Sequence, residues 1–238
     1  MISIYKPTVG LFWVRRHIIG RANKPMAETN EGAFSMSMTM PGIPSGNPNF
    51  KRLLDCARSL IEEKGCVKTT LQDIMACSGL SKGAIYHYVK SKEELFGLLL
   101  QFELGKVDDR FRQAAASSGD LTGPLRAIAA GLTAMQQEDS VGSRVLTYLL
   151  SQRGKSGIQA ILSEYHERTV AMSTGWIELG QQEGVIHSEL NASMAAEQFV
   201  TVAYGMGMRN LLANVSEAGG AVFGEEEFYR YMLAILKK

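Results

Sequence analysis

The sequence predicts an all-α fold, with a short three-helix unit first and a larger helical domain after it. Three observations carry that expectation. From Asn49 onward apolar residues recur at helical spacing, and no segment alternates with the period of two that a strand needs. Clusters of glycine, serine and aspartate interrupt that pattern at short intervals, where helix caps and stops belong. After residue 48 only Pro124 lies near a helix, and it falls close to a start, where proline is tolerated.

Residues 1–48 differ from the rest of the chain. Met36, Met38 and Met40 alternate with serine and threonine, and MPGIPSGNP then crowds proline and glycine into turn positions. This segment reads as a disordered or mis-annotated extension, with initiation at one of the clustered methionines. The first helix opens near Asn49 with Leu53, Leu54, Ala57, Leu60 and Ile61 on one face, and Gly65 follows Lys64 as its stop. Thr70 caps a second, short helix built on Ile74, with Asp73 placed to complete a capping box. Ser78-Gly79-Leu80 makes a turn in which glycine takes a positive φ. Ser81 then caps a third helix, Lys82 to Tyr88, with Ile85 inward. Ser91-Lys92-Glu93-Glu94 is the capping box of a long fourth helix, whose stripe is Leu95, Phe96, Leu98, Leu99 and Phe102. Further helices are expected from Leu121 to Gln137, Val141 to Gln152, Ser156 to Gln182, Ala192 to Asn214 and Glu225 to Leu236.

Composition bounds the function. A 238-residue chain with 45% hydrophobic and 21% charged residues buries a core of its own, and no apolar run reaches the length of a membrane span. Three cysteines without regular spacing argue against a disulfide framework and fit a reducing cytoplasm. Between Phe50 and Lys92 stand eight basic and four acidic side chains; after Lys92 there are twelve and eighteen. A basic segment followed by an acidic one suits a nucleic-acid reader joined to a domain that does not touch nucleic acid.

The chemistry concentrates in Thr69–Glu94, TTLQDIMACSGLSKGAIYHYVKSKEE. Two short helices joined by a glycine turn, the second carrying Lys82, Tyr86, His87 and Tyr88, form what a protein needs to place a helix in the major groove of DNA. Taken singly, Tyr86 or Tyr88 would be a half-buried packing residue and His87 a surface histidine. Their grouping with Lys82 and the turn favours the DNA-binding reading. With its pattern LLDCARSLIEEKG, TTLQDI and SGLSKGAIYHYVKSKEELF, the stretch Leu53–Leu95 resembles the DNA-binding domain of the TetR (tetracycline-repressor-like) family of bacterial transcriptional regulators. The resemblance covers about residues 49–106. Departures are Met75 and Ser78 where the family usually has alanine, Val89 for phenylalanine, and Cys66 for an aromatic residue.

The resemblance implies a helix-turn-helix domain over 49–107, with its motif at about 70–89, and a helical effector-binding and dimerisation domain over 108–238. Ser81, Lys82, Gly83 and Ala84 resemble the start of the recognition helix. Tyr86, His87 and Tyr88 correspond to positions that touch thymine methyls and phosphates, and Thr70 and Lys92 would seat the unit on the backbone. It further implies a homodimer bound to a palindromic operator, with repression released by a small-molecule effector. A basic N-terminal arm (Arg15, Arg16, Arg21, Lys24) tracking DNA is a weaker alternative to a disordered extension.

The last two helices suit a four-helix bundle across a two-fold axis. The effector pocket is expected between helices of residues 121–212, apolar with a few polar groups, with Tyr148, Tyr165, His166, Met172, Trp176 and Phe199 as candidate lining. Methionines there suit a broad hydrophobic effector, while the acidic excess leans toward a cation. No Gly-rich phosphate loop, HExxH or nucleophile elbow is present. His17, His87, His166 and His187 have no ligand-like spacing to the cysteines, so neither enzyme activity, metal nor cofactor is expected. The alternative function is a thiol-based redox-sensing regulator using Cys56, Cys66 or Cys77; small cysteines filling core sites explain the same residues.

Overall fold

The computed structural model describes residues 47–117, 119–137, 139–212 and 223–237. Every regular element among these residues is a helix, as expected. In chain order they are α1 (Pro48–Lys68), α2 (Leu71–Ser78), α3 (Lys82–Tyr88), α4 (Lys92–Ser117), α5 (Thr122–Met135), α6 (Val141–Ser151), α7 (Ile158–Gln182), α8 (Ala192–Leu212) and α9 (Glu225–Leu236). Among the described residues no helix is long and apolar enough to cross a membrane. Residues 1–46 lie outside the described residues, and the expected extension with them. Its last two positions instead open α1: the Asn47 side chain accepts hydrogen bonds from the backbone N–H groups of Asn49 and Phe50, with Pro48 in the first turn.

Each boundary has a local cause. Gly65 takes φ 77°, the left-handed turn expected of a stop, yet the chain resumes helical geometry for Cys66–Lys68, so α1 kinks instead of ending there. The box at Ser91 forms only in half. Glu94 donates its backbone N–H to Ser91 Oγ at 3.1 Å, but its carboxylate reaches back to the N–H of Lys90 at 2.6 Å. α5 is shorter than expected, and α7 begins at Ile158 because Gly157 stands at φ 84° just before it. Residues 213 and 214, the expected end of α8, lie outside the described residues.

One apolar cluster runs from Phe50 to Leu236. α4 is its spine. It packs on α1, α5, α6 and α7, and residue 107 lies within it. Arg58 of α1 pairs with Glu103 of α4. α4 and α7 approach closely at Gly97, where an added Cβ would lie 2.5 Å from Ile161 Cγ2, so that any side chain there would force Ile161 to shift. α5 and α9 are tied at their surface by Arg126–Glu226 at 2.8 Å, with the Arg126 guanidinium 4.2 Å from the Tyr229 ring centre.

The cysteines depart from expectation. Cys56 of α1 and Cys77 of α2 are joined in a disulfide with their Cα atoms 5.8 Å apart, and Cys66 is the free, buried thiol. Spacing along the chain holds no hint of the pair. The crossing of α1 and α2 over the Gly65 kink creates it, and that is a property of packing.

Candidate nucleic-acid interface

The site begins at two threonines. Thr69 is fully buried, and its Oγ1 lies within hydrogen-bond reach of the carbonyls of Leu60 at 3.2 Å and Gly65 at 2.9 Å, which fixes the exit of α1. Thr70 then caps α2: its Oγ1 accepts from the N–H of Asp73, while the Asp73 carboxylate accepts from the Thr70 N–H and hydroxyl. Lys64 of α1 closes the group with a 2.8 Å ion pair to Asp73. The Lys64 ammonium first, then the two Thr70 donors, hold the Asp73 carboxyl down at about 2. Lys64 is a partner the sequence did not reveal, because nine residues and a kink separate the two.

Gly79 stands in the left-handed region at φ 65°, and its N–H closes α2 on the Met75 carbonyl at 3.0 Å. The chain therefore turns sharply into α3, whose first turn is capped by Ser81 Oγ accepting from Ala84 N–H at 3.2 Å. Ile85 anchors α3 in the core and Val89 closes it, both 2% exposed. The opposite side of the helix faces solvent: Ser81, Lys82, Gly83, Tyr86 and His87 are exposed and Ala84 is half-buried. The Lys82 ammonium lies 5.8 Å from the centre of the Tyr86 ring. Nothing in the protein would meet a Cβ added at Gly83, so the backbone there is open to approach.

Tyr88 differs from its neighbours. It is half-buried, its ring lies 5.2 Å from that of Phe50, and its hydroxyl accepts from Asn47 Nδ2 at 2.9 Å. Lys92 also faces partly inward. Its ammonium donates to the carbonyls of Cys66 at 3.1 Å and Val67 at 3.4 Å, and sits 5.0 Å from the Tyr148 ring centre. Tyr148 in turn donates its hydroxyl to Glu93 at 2.9 Å and stacks edge-on to Phe96. Burial, followed by that carboxylate, pushes the Tyr148 phenol up to about 12. Arg144 adds a bond from α6 to the Glu62 carbonyl at 3.5 Å.

The candidate effector residues divide. Trp176 and Phe199 meet in an apolar cavity of about 20 Å³ between α4, α5, α7, α8 and α9, together with Phe111, Ile128 and Met232. Trp176 donates its indole N–H to Asp108 at 2.7 Å. Tyr165, Met172, His166 and Tyr148 do not line that cavity. Tyr165 is buried in α7, Met172 is half-buried against the core, and His166 is half-exposed with Nε2 3.5 Å from Glu197. Tyr148 belongs to the junction with Lys92.

Comparison with known proteins places this arrangement among others like it. A family model for "Bacterial regulatory proteins, tetR family" matches residues 53–99, the span from α1 into the N-terminal part of α4. The HTH-type transcriptional repressor KstR2 of Rhodococcus jostii is 27% identical over 149 residues, covering 60% of this chain and 70% of its own. The HTH-type transcriptional regulator UidR of Escherichia coli K12 is 24% identical over 161 residues, covering 67% of this chain and 80% of its own. Among solved structures, GusR of Salmonella enterica superposes with a TM-score of 0.54 at 20% identity over 80% of this chain and 96% of its own. A putative TetR-family regulator from Rhodococcus sp. gives 0.60 at 16% identity over 78% and 97%. At those identities the superpositions speak for the fold, and the match extends well past the segment the family model covers.

Proposed function

The chain belongs to the TetR family of bacterial regulatory proteins, and on that premise we propose that it is a DNA-binding transcriptional repressor. Its homodimer binds a palindromic operator and a small-molecule effector releases it. The observation that carries the reading is the solvent face of α3, where Lys82, Gly83, Tyr86 and His87 stand together behind the left-handed turn at Gly79. An ammonium, a phenol and an imidazole exposed on one short helix offer donors to base edges and phosphates, and the bare backbone at Gly83 permits close approach.

In this reading residues 49–107 are the DNA-binding domain and 108–238 the effector and dimer domain. Thr70, Ser81 and Ala84 bring α2 and α3 to the phosphates. Tyr88 contributes an edge while bracing α3 on Phe50, and Lys92 reaches a phosphate only by sharing its ammonium with the α1 carbonyls. The dimer forms through the last two helices, α8 and α9, of which α8 exposes Met194, Met208, Leu211 and Leu212 with Gly205 between them. The effector enters the apolar region around Trp176 and Phe199, which must open from its present size to admit one.

The test is a mobility-shift assay on the DNA upstream of the protein's own gene. The parent should shift it, with affinity falling steeply as salt rises and with half-sites about 34 Å apart. The double variant Lys82→Ala/Tyr86→Ala should abolish the shift while remaining folded and dimeric. A double variant that bound as well as the parent would overturn this assignment of α3.

A further inference from the structure

We propose that Cys56 and Cys77 are a reversible dithiol–disulfide pair that locks the helix-turn-helix unit when oxidised. The two residues are bonded across α1 and α2, and Cys77 lies two residues before Gly79, the turn that aims α3. A bond there ties the last turn of α2 to α1. The other end of α2 is already held, by the Lys64–Asp73 ion pair and by Ile74 in the core. The disulfide therefore decides whether the C-terminal end of α2, and with it the angle of α3, is fixed or free to shift.

Access suits exchange. Cys77 is exposed and Cys56 is 8% exposed beneath it, at one wall of a surface hollow of about 450 Å³. Lys51, Arg52, Asp55 and Ser59 line the same hollow. Cys66, the remaining thiol, is buried and takes no part; burial pushes it up to about 11.

The oxidant is a hydroperoxide and the reductant a dithiol. The Cys77 thiolate attacks the outer peroxide oxygen, the O–O bond breaks, and the departing alkoxide takes up the Cys77 proton as an alcohol. The resulting sulfenic acid is attacked at sulfur by Cys56; the S–S bond forms, and hydroxide leaves with the Cys56 proton as water. Two thiols are oxidised and one hydroperoxide is reduced to alcohol and water. Reduction runs by thiol–disulfide exchange, in which the dithiol takes the disulfide and both cysteines regain their protons.

The full-length parent is compared after dithiothreitol and after hydrogen peroxide. Mass spectrometry of a non-reducing digest should find the Cys56 and Cys77 peptides linked after peroxide, separate after dithiothreitol, and linked again on re-oxidation. Closing this loop should raise the thermal midpoint by roughly 5–10 °C, a difference absent from Cys77→Ser. The effect on DNA rests on the function proposed for α3; there the oxidised protein should bind the upstream fragment at least roughly threefold more tightly, since a fixed reader has less to order. Unlinked peptides after peroxide, or a midpoint that is the same in both states, would overturn the pair as a lock. Equal DNA affinity in both states would overturn its action on α3. A protein that shifts no DNA in either state contradicts the function proposed for α3, while peptide linkage and midpoint still decide for or against the pair.

Discussion

The unit formed by α1–α3 and the body formed by α4–α9 are built on different principles. In the first, the short helices α2 and α3 are stopped and aimed by individual polar groups: Thr70 with Asp73, Ser81 with Ala84, Gly79 in its left-handed turn. Few side chains of α3 reach the core, and Ile85 is the one it buries fully. In the body, long helices are held by apolar faces, and a close approach such as that of Gly97 to Ile161 sets their separation. A surface that must present polar groups at a fixed angle needs local fastening, whereas a body held together by its apolar faces can rely on area.

From this difference, stability and DNA binding should respond to different residues. The largest loss of stability is expected from Phe96→Ala. Phe96 is fully buried where α4 meets α6, and its truncation should cost about 3–5 kcal/mol in urea unfolding. The transition should remain single, because the core is shared; two separated transitions would break the picture of one continuous cluster. Next comes Gly97→Val, which pushes a side chain against Ile161 and should cost about 1–3 kcal/mol with DNA binding retained at temperatures where the protein is folded.

The order of effects reverses in the first unit. Thr70→Ala removes the cap of α2 and should cost only about 1 kcal/mol in stability, yet weaken the DNA shift markedly. Its partner adds a pH signature. The Asp73 carboxyl is held at about 2 against an ordinary 3.8, so its charged form stabilises the fold above about pH 4. That contribution disappears as pH falls from about 4 to 2, and Asp73→Asn should flatten an acid titration of stability in that window. The smallest effect belongs to Arg126→Ala. Its ion pair to Glu226 is exposed on both sides, so neither the unfolding midpoint nor the DNA shift should move measurably.

The same division explains how far the sequence could be read. Thr70, Gly79, Ser81 and Ile85 announce themselves because caps and turns are contacts within four residues, and all four stand as expected. The order of the later helices was equally readable from period and breaks, to within a residue or two at most ends. What could not be read are contacts made by packing: Lys64 against Asp73, Asn47 against Tyr88, and above all Cys56 bonded to Cys77. Side-chain size and helix placement put Trp176 and Phe199 among the candidate lining residues, and both border one apolar cavity, but the same two criteria grouped them with Tyr148 and His166, which face elsewhere. A helical period gives the buried face of each helix and not the neighbour that covers it.

The ammonium of Lys92 carries a consequence for anyone who would transplant this reader onto another body. It is wedged between two α1 carbonyls and the Tyr148 ring, while Glu93 holds the Tyr148 hydroxyl and Arg144 reaches back to Glu62. A chimera cut after residue 107 would keep Lys92, Glu93 and Glu62 but leave both α6 partners behind. The seam of this molecule thus runs through space, not along the chain. A working graft has to carry Arg144 and Tyr148 across with the DNA-binding unit, or rebuild their contacts on the recipient.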